Sequence, residues 1–129
     1  MMAKDNRTLH LVLKRKWWDM IANGIKKEEY REVCHYWATR LLDGQYRWYS
    51  HNTDYPGDFA WWLFWKIASK SISFREYSKV CFHLGYTNTI MTFNIDKMFM
   101  EIGSDNNKEV WGAEPNKHYF VIKLGERVG

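Results

Sequence analysis

Gly24-Ile25-Lys26-Lys27-Glu28-Glu29-Tyr30-Arg31 packs a backbone hinge, two ammonium groups, two carboxylates and a guanidinium into eight consecutive residues. A glycine there can take the positive φ that ends a helix, so the chain beyond it is expected to leave in a new direction as extended strand. Side chains alternate along a strand, which places Glu29 and Arg31 on one face and Tyr30 on the other. Lys26 shares the parity of Tyr30, so it joins Glu29 and Arg31 only if it precedes the strand proper or sits at a kink. Two readings fit the pattern: a solvated edge strand whose charges deter aggregation, or a site that gathers an amine, an acid and a guanidinium.

Upstream, Leu9, Leu11 and Leu13 alternate with His10, Val12 and Lys14, the period of a strand with at least one face in the core. Residues 16–22 change period: Trp17, Met20 and Ile21 fall at i, i+3 and i+4, one stripe of a short helix that Gly24 stops. Downstream, residues 33–42 again have helical spacing, with Tyr36 or Trp37 and Leu41 inward and Arg40 available to solvent. Asp43-Gly44 breaks that helix, and residues 45–57 read as a long irregular loop. Asp58 is the expected N-cap of a helix over 59–68 (FAWWLFWKIA) that is apolar nearly all round, so it must be buried on most sides or lie against a partner. It is expected to roof a cleft, supply stacking rings, form a homodimer contact or simply add core.

Residues 79–84 alternate Val80, Phe82 and Leu84 against Lys79, Cys81 and His83, a half-buried strand. Residues 89–102 switch phase: Met91, Phe93 and Ile95 share one parity, Met98, Met100 and Ile102 the other. A β-bulge does this, and bulges let small barrels turn corners. A polar loop over 103–117 surrounds Val110-Trp111-Gly112, and 119–124 is a last strand. The whole is expected to be one α+β domain over 1–129: a curved sheet or partly open β-barrel, flanking short helices, and an aromatic helical insertion at about 43–77.

The net charge of +4 is unevenly placed, with ten Lys/Arg against six Asp/Glu in residues 1–47 and nine of each beyond. A basic surface beside the charged stretch attracts polyanions, although Lys and Arg also serve plain solubility. Cys34 and Cys81 lie far apart, so no disulfide framework or zinc knuckle is encoded and a reducing cytoplasm fits. No apolar leader precedes Lys14-Arg15-Lys16, and no apolar run is long enough to span a bilayer, so a cytoplasmic protein with no membrane partner is expected. The five histidines are scattered without an i, i+4 pair, and no glycine-rich phosphate loop or nucleophile elbow occurs. No metal and no cofactor are expected.

Lys26, Lys27 and Arg31, near Lys14, Arg15 and Lys16, would offer a cleft several cationic donors, and Tyr30, Trp17, Trp18 or Trp111 could stack a base. Core packing is the competing role for each ring. A lysine held between Glu29 and Arg31 feels opposing fields, and desolvation favours the neutral amine that serves as nucleophile or base, with Glu28, Glu29 or Glu101 as acid or base.

Gly24, Lys26, Glu29 and Arg31 reproduce the G-x-K-x-x-E-x-R signature of ASCH domains, a branch of the PUA-like superfamily. The resemblance extends to residues 9–24, to Gly85-Tyr86, to residues 111–115 and to the closing strand, and leaves the middle unmatched. It implies a PUA-like barrel and an RNA- or nucleotide-binding cleft built by Lys26, Glu29 and Arg31, with Lys27, Tyr30, Trp17 and Trp111 around it. As an alternative it implies a hydrolase of RNA or a modified nucleoside, with Lys26 and Glu29 catalytic; the amidohydrolase signature G-x-K-T-x-T-x-R has threonine where this chain has Glu29. A third reading is a protein-interaction module that uses the 59–68 helix.

Overall fold

The computed structural model describes residues 7–43, 56–102 and 108–129. In chain order these hold β1 Thr8–Leu13, α1 Arg15–Ala22, β2 Glu28–Glu32, α2 His35–Leu41, β3 Leu42–Asp43, α3 Pro56–Ala68, β4 Ser73–Phe74, β5 Lys79–Leu84, β6 Ile90–Ile102 and β7 His118–Arg127. A 3-10 turn at Lys108–Trp111 precedes β7. The fold is α+β, as the element order leads one to expect.

Five strands form one sheet in the order β1-β5-β6-β7-β2, with β1 parallel to β5 and the other pairs antiparallel. β1 and β2 are therefore the two edges. They nevertheless meet: Arg31 Nη2 of β2 donates to the carbonyl of Val12 in β1 over 3.1 Å. The sheet has curled into a half-barrel whose open seam lies between its first two strands.

The curl originates in β6. Its pairing with β7 shifts register between Phe93, Ile95 and Lys97. Met91 and Phe93 are buried before the two shifts, Ile95 between them and Met100 beyond, the phase change the sequence shows. One extra residue on a strand bends it and sharpens its twist. Inside the curl, Leu9, Leu11 and Leu13 pack with Val80, Phe82, Phe120 and Ile122, and the helices close the core with Trp18, Ile21, Ala38, Leu41, Phe59, Ala60 and Leu63. A smaller cluster of Tyr30, Ala113, Tyr119 and Val121, backed by Phe99 and Trp111, seats residues 108–117 on the convex face.

Three details differ from the sequence reading. α1 buries Trp18 and Ile21, which leaves Trp17 on the flank; the i, i+3 pair that faces β1 is displaced by one residue, and Trp18 is thereby spent on the core. α3 starts at Pro56, so Asp58 lies within its first turn rather than capping it. β7 runs to Arg127, three residues past the expected end, because residues as far as Arg127 find partners on β6. Of the alternatives at Tyr36 and Trp37, Trp37 packs inward. The expected loop at 45–57 falls outside the described residues except for Pro56 and Gly57.

The insertion is tied at its ends by the β3–β4 ladder, Leu42 opposite Phe74 and Asp43 opposite Ser73. Its helix α3 gives one face to the core, while Trp61 and Trp65 are 47% and 65% exposed. No helix among the described residues is long and apolar enough to cross a membrane.

The turn from α1 into β2 is a Schellman arrangement. Ile25 N–H reaches Met20 O at 2.9 Å and Gly24 N–H reaches Ile21 O at 3.1 Å, with Gly24 at φ +75. A Cβ on Gly24 would meet nothing within 4 Å, so only its backbone freedom matters. Gly24→Ala is expected to lower stability by about 1 kcal/mol and Gly24→Asn, which tolerates the left-handed region, by less. Chemical denaturation of both variants checks this; an alanine variant as stable as wild type would refute it.

Candidate functional site

The same turn delivers Lys26. Its backbone N–H shares the Met20 carbonyl at 3.0 Å, and β2 begins only at Glu28. Lys26 therefore escapes the alternation that would have sent it to the far face with Tyr30. Within β2 the pairing with β7 puts Glu29 opposite Ile122 and Arg31 opposite Phe120, both core positions. The two charged side chains thus point to the inside of the half-barrel at its seam.

They meet there. Glu29 Oε1 lies 3.1 Å from Lys26 Nζ and Glu29 Oε2 lies 2.8 Å from Arg31 Nη2. Lys26 and Glu29 are 3% and 5% exposed, the two buried charged residues among those described. Lys26 Nζ also donates to the Trp111 carbonyl, which the 3-10 turn presents, and lies 4.3 Å from the ring centre of Trp17 and 5.1 Å from that of Tyr30. The Arg31 guanidinium sits 4.9 Å from the ring centre of Trp37. Aromatic faces lend such cations some of the stabilisation that water would otherwise give.

Burial pushes the Lys26 amine below the ordinary lysine value, with a smaller push from Arg31, against the opposing pull of Glu29. Of the three buried side-chain atoms without an aligned hydrogen bond among the described residues, two belong to this cluster: Glu29 Oε1, which has Lys26 Nζ at 3.1 Å as its ion-pair partner, and Arg31 Nε. Buried polar atoms are nearly always satisfied, so the unpaired Arg31 Nε has room for a water or an acceptor.

Room for a guest exists. A cleft of about 260 Å³ is lined by Val12, Leu13, Lys14, Trp17, Glu29, Tyr30, Arg31 and Glu32. A side pocket of about 70 Å³ shares Trp17, Glu29 and Tyr30 with it and is closed by Lys26, Trp111 and Gly112. Gly112, at φ +104, is packed so closely that a Cβ there would lie 3.2 Å from Cζ2 of Trp17.

Of the residues expected at the site, Lys26, Glu29, Arg31, Tyr30, Trp17 and Trp111 converge, Trp111 bonding Lys26 through its carbonyl. Lys27 does not; it is exposed, and its carbonyl receives the Leu124 N–H at 3.0 Å. Glu28 and Glu101 turn to the convex face, where Lys108 Nζ lies 3.0 Å from an Oε1 of each, and Tyr30 donates its hydroxyl to Glu28 over 2.6 Å. Burial of Lys108 opposes its charge, but the bonds to Glu28 and Glu101 outweigh that and its pKa is raised. Burial, with the Glu28 bond, also pushes the Tyr30 phenol well above its usual range. This cluster clamps the 108–117 segment to the sheet. Among the described residues α3 contributes nothing to the cleft lining, so it is not the roof. Sequence reasoning missed Val12, which only the closure of the two sheet edges brings to Arg31, Trp37, which α2 lays against the guanidinium, and Glu32, which lines the cleft from β2 itself.

Family models, curated proteins and solved structures were compared with this chain, and none matches it.

The depressed lysine has a thermodynamic signature. Between the lowered folded pKa and the ordinary value of 10.5, the unfolded chain holds a proton that the folded chain has lost, so stability rises with pH across that window. Relative to Lys26→Met, the wild-type protein should therefore gain stability as pH climbs towards 10.5. Denaturation curves of the two proteins that stay parallel over this range would show that the ammonium is not desolvated.

Proposed function

We propose that the seam cleft binds one nucleotide unit, free or within single-stranded RNA. The observation that carries this reading is the convergence of Lys26, Glu29 and Arg31 at one concavity beside the ring of Trp17. The carboxylate of Glu29 and the guanidinium of Arg31, which both line the cleft, offer a base edge an acceptor and a donor. Trp17 offers a stacking face, worth on the order of 1 to 3 kcal/mol, once the base displaces the exposed Lys16, whose Nζ lies 4.6 Å from that ring centre. Lys14 at the mouth and the remaining guanidinium positions of Arg31 suit a phosphate. The volume suits one such unit better than an extended strand. The resemblance of Gly24, Lys26, Glu29 and Arg31 to the ASCH signature supports the same reading, and on it rests the assignment of the half-barrel as PUA-like. The free cysteines Cys34 and Cys81 are in keeping with a cytoplasmic location.

Titration of the protein with nucleoside monophosphates and short single-stranded RNA, followed by tryptophan fluorescence, tests the proposal. Saturable binding is expected, weakened about 10-fold or more by Arg31→Ala and by Trp17→Ala, with a shallow salt dependence because few phosphates are touched. A folded wild-type protein that binds neither ligand overturns it, as do variants that bind as tightly as wild type.

One observation favours a second reading, a hydrolase acting on RNA or a modified nucleoside: the pKa of Lys26 is lowered by burial, as a lysine base or nucleophile requires. Turnover of labelled RNA or acetylcytidine should then rise with pH as the amine loses its proton, and Lys26→Met should abolish it. Turnover that persists in Lys26→Met removes Lys26 from the chemistry.

A further inference from the structure

His10, Cys81 and His83 stand together on the outer face of the β1–β5 ladder. His10 is directly opposite Cys81 in the parallel register, and His83 follows Cys81 by two residues and so shares its face. Their ligand atoms all lie within 4.8 Å of one another. His10 Nδ1 is 2.9 Å from His83 Nε2, and Cys81 Sγ is 3.8 Å from the same nitrogen. Tetrahedral zinc, with its usual bond lengths, separates two imidazole nitrogens by about 3.3 Å and a nitrogen from a sulfur by about 3.6 Å. Two of the three separations thus lie within about half an ångström of those around tetrahedral zinc, and the third, between His10 and Cys81, is no more than 4.8 Å, so a small adjustment of the side chains makes three corners of a tetrahedron. We infer that they form a binding site for a zinc-class divalent cation, a role the histidine spacing in the sequence does not suggest.

The chemistry of the donor set selects the ion. Two imidazoles and one thiolate suit zinc and its neighbours and disfavour magnesium or calcium, which take oxygen. On binding, the Cys81 thiol releases its proton to solvent, and the imidazole that carries the hydrogen shared between His10 and His83 shifts it to its other ring nitrogen, which leaves both facing nitrogens free to ligate. His10 is exposed and His83 half-buried, so the ion has an entry path, and its fourth position stays open to water or a further ligand. None of the three residues lines the seam cleft, so the site stands apart from the proposed nucleotide site. Its mechanical effect falls nearby: the ion would staple edge strand β1 to β5 at the register that carries Val12, one wall of the cleft.

Cobalt(II) titration tests the inference, in a Cys34→Ser background so that Cys81 is the one remaining thiol. One equivalent is expected to bind with a thiolate-to-cobalt charge-transfer band, zinc should displace it, and affinity should fall as pH drops through the histidine range. Cys81→Ser should remove the band, and His10→Ala, an exposed substitution that leaves the fold intact, should weaken binding at least 10-fold. Zinc should raise the melting temperature of the parent and not of His10→Ala/His83→Ala. A folded parent protein that binds no cobalt overturns the inference, as does a band that survives in Cys81→Ser or an affinity unchanged in the double histidine variant.

Discussion

A single carboxylate, Glu29, held between the Lys26 ammonium and the Arg31 guanidinium, is the interaction on which the rest of this structure leans. Each cation reaches on to another part of the chain. Arg31 crosses to the Val12 carbonyl and draws the two edges of the sheet together, and Lys26 reaches the Trp111 carbonyl and fixes the turn before β7. An ion cluster this dry costs desolvation energy, and removal of one member leaves another buried and uncompensated, at about 3 to 5 kcal/mol in comparable cases. Such an arrangement is a poor way to gain stability. It is a good way to hold charged donors and acceptors in fixed positions.

Backbone geometry explains why the cluster can exist. A lysine, a glutamate and an arginine at 26, 29 and 31 cannot all share a strand face, because strand side chains alternate. The Schellman turn at Gly24 resolves this by keeping Lys26 out of the strand, its amide tied to Met20. The curl of the sheet then turns an exposed edge into a cleft wall. An edge strand normally offers its unpaired groups to water or to another chain; here Arg31 closes on Val12 and the gap becomes a cleft. The opposite face of β2 carries a second ion cluster, with Lys108 clamped by Glu28 and Glu101, and Tyr30 touches both.

Much of this was legible along the chain. The alternation in β1 and β5, the stop at Gly24, the opposite faces of Glu29 and Tyr30, and the phase change in β6 are local patterns, and local sterics alone produce them. The convergence of residues 26, 29 and 31 was legible as one of two readings, conditional on Lys26 standing before the strand, and the turn at Gly24 meets that condition. What failed were assignments that depend on neighbours. Trp17 and Trp18 have equal claims to the helix face until β1 decides between them, and Lys27 and Lys26 look equally fit for the cleft until the turn sends one outwards.

The sequence by itself determined the periods, the hinge and the charge pattern, since each follows from steric preferences within a few residues. Only the tertiary structure decided that β1 and β2, the two edges of one sheet, face each other across a cleft. It alone decided that His10 stands beside Cys81 and His83, more than seventy positions away. Pairing across such separations is set by the register of strands and by the bend at the β6 register shifts, and no window of neighbouring residues contains that information.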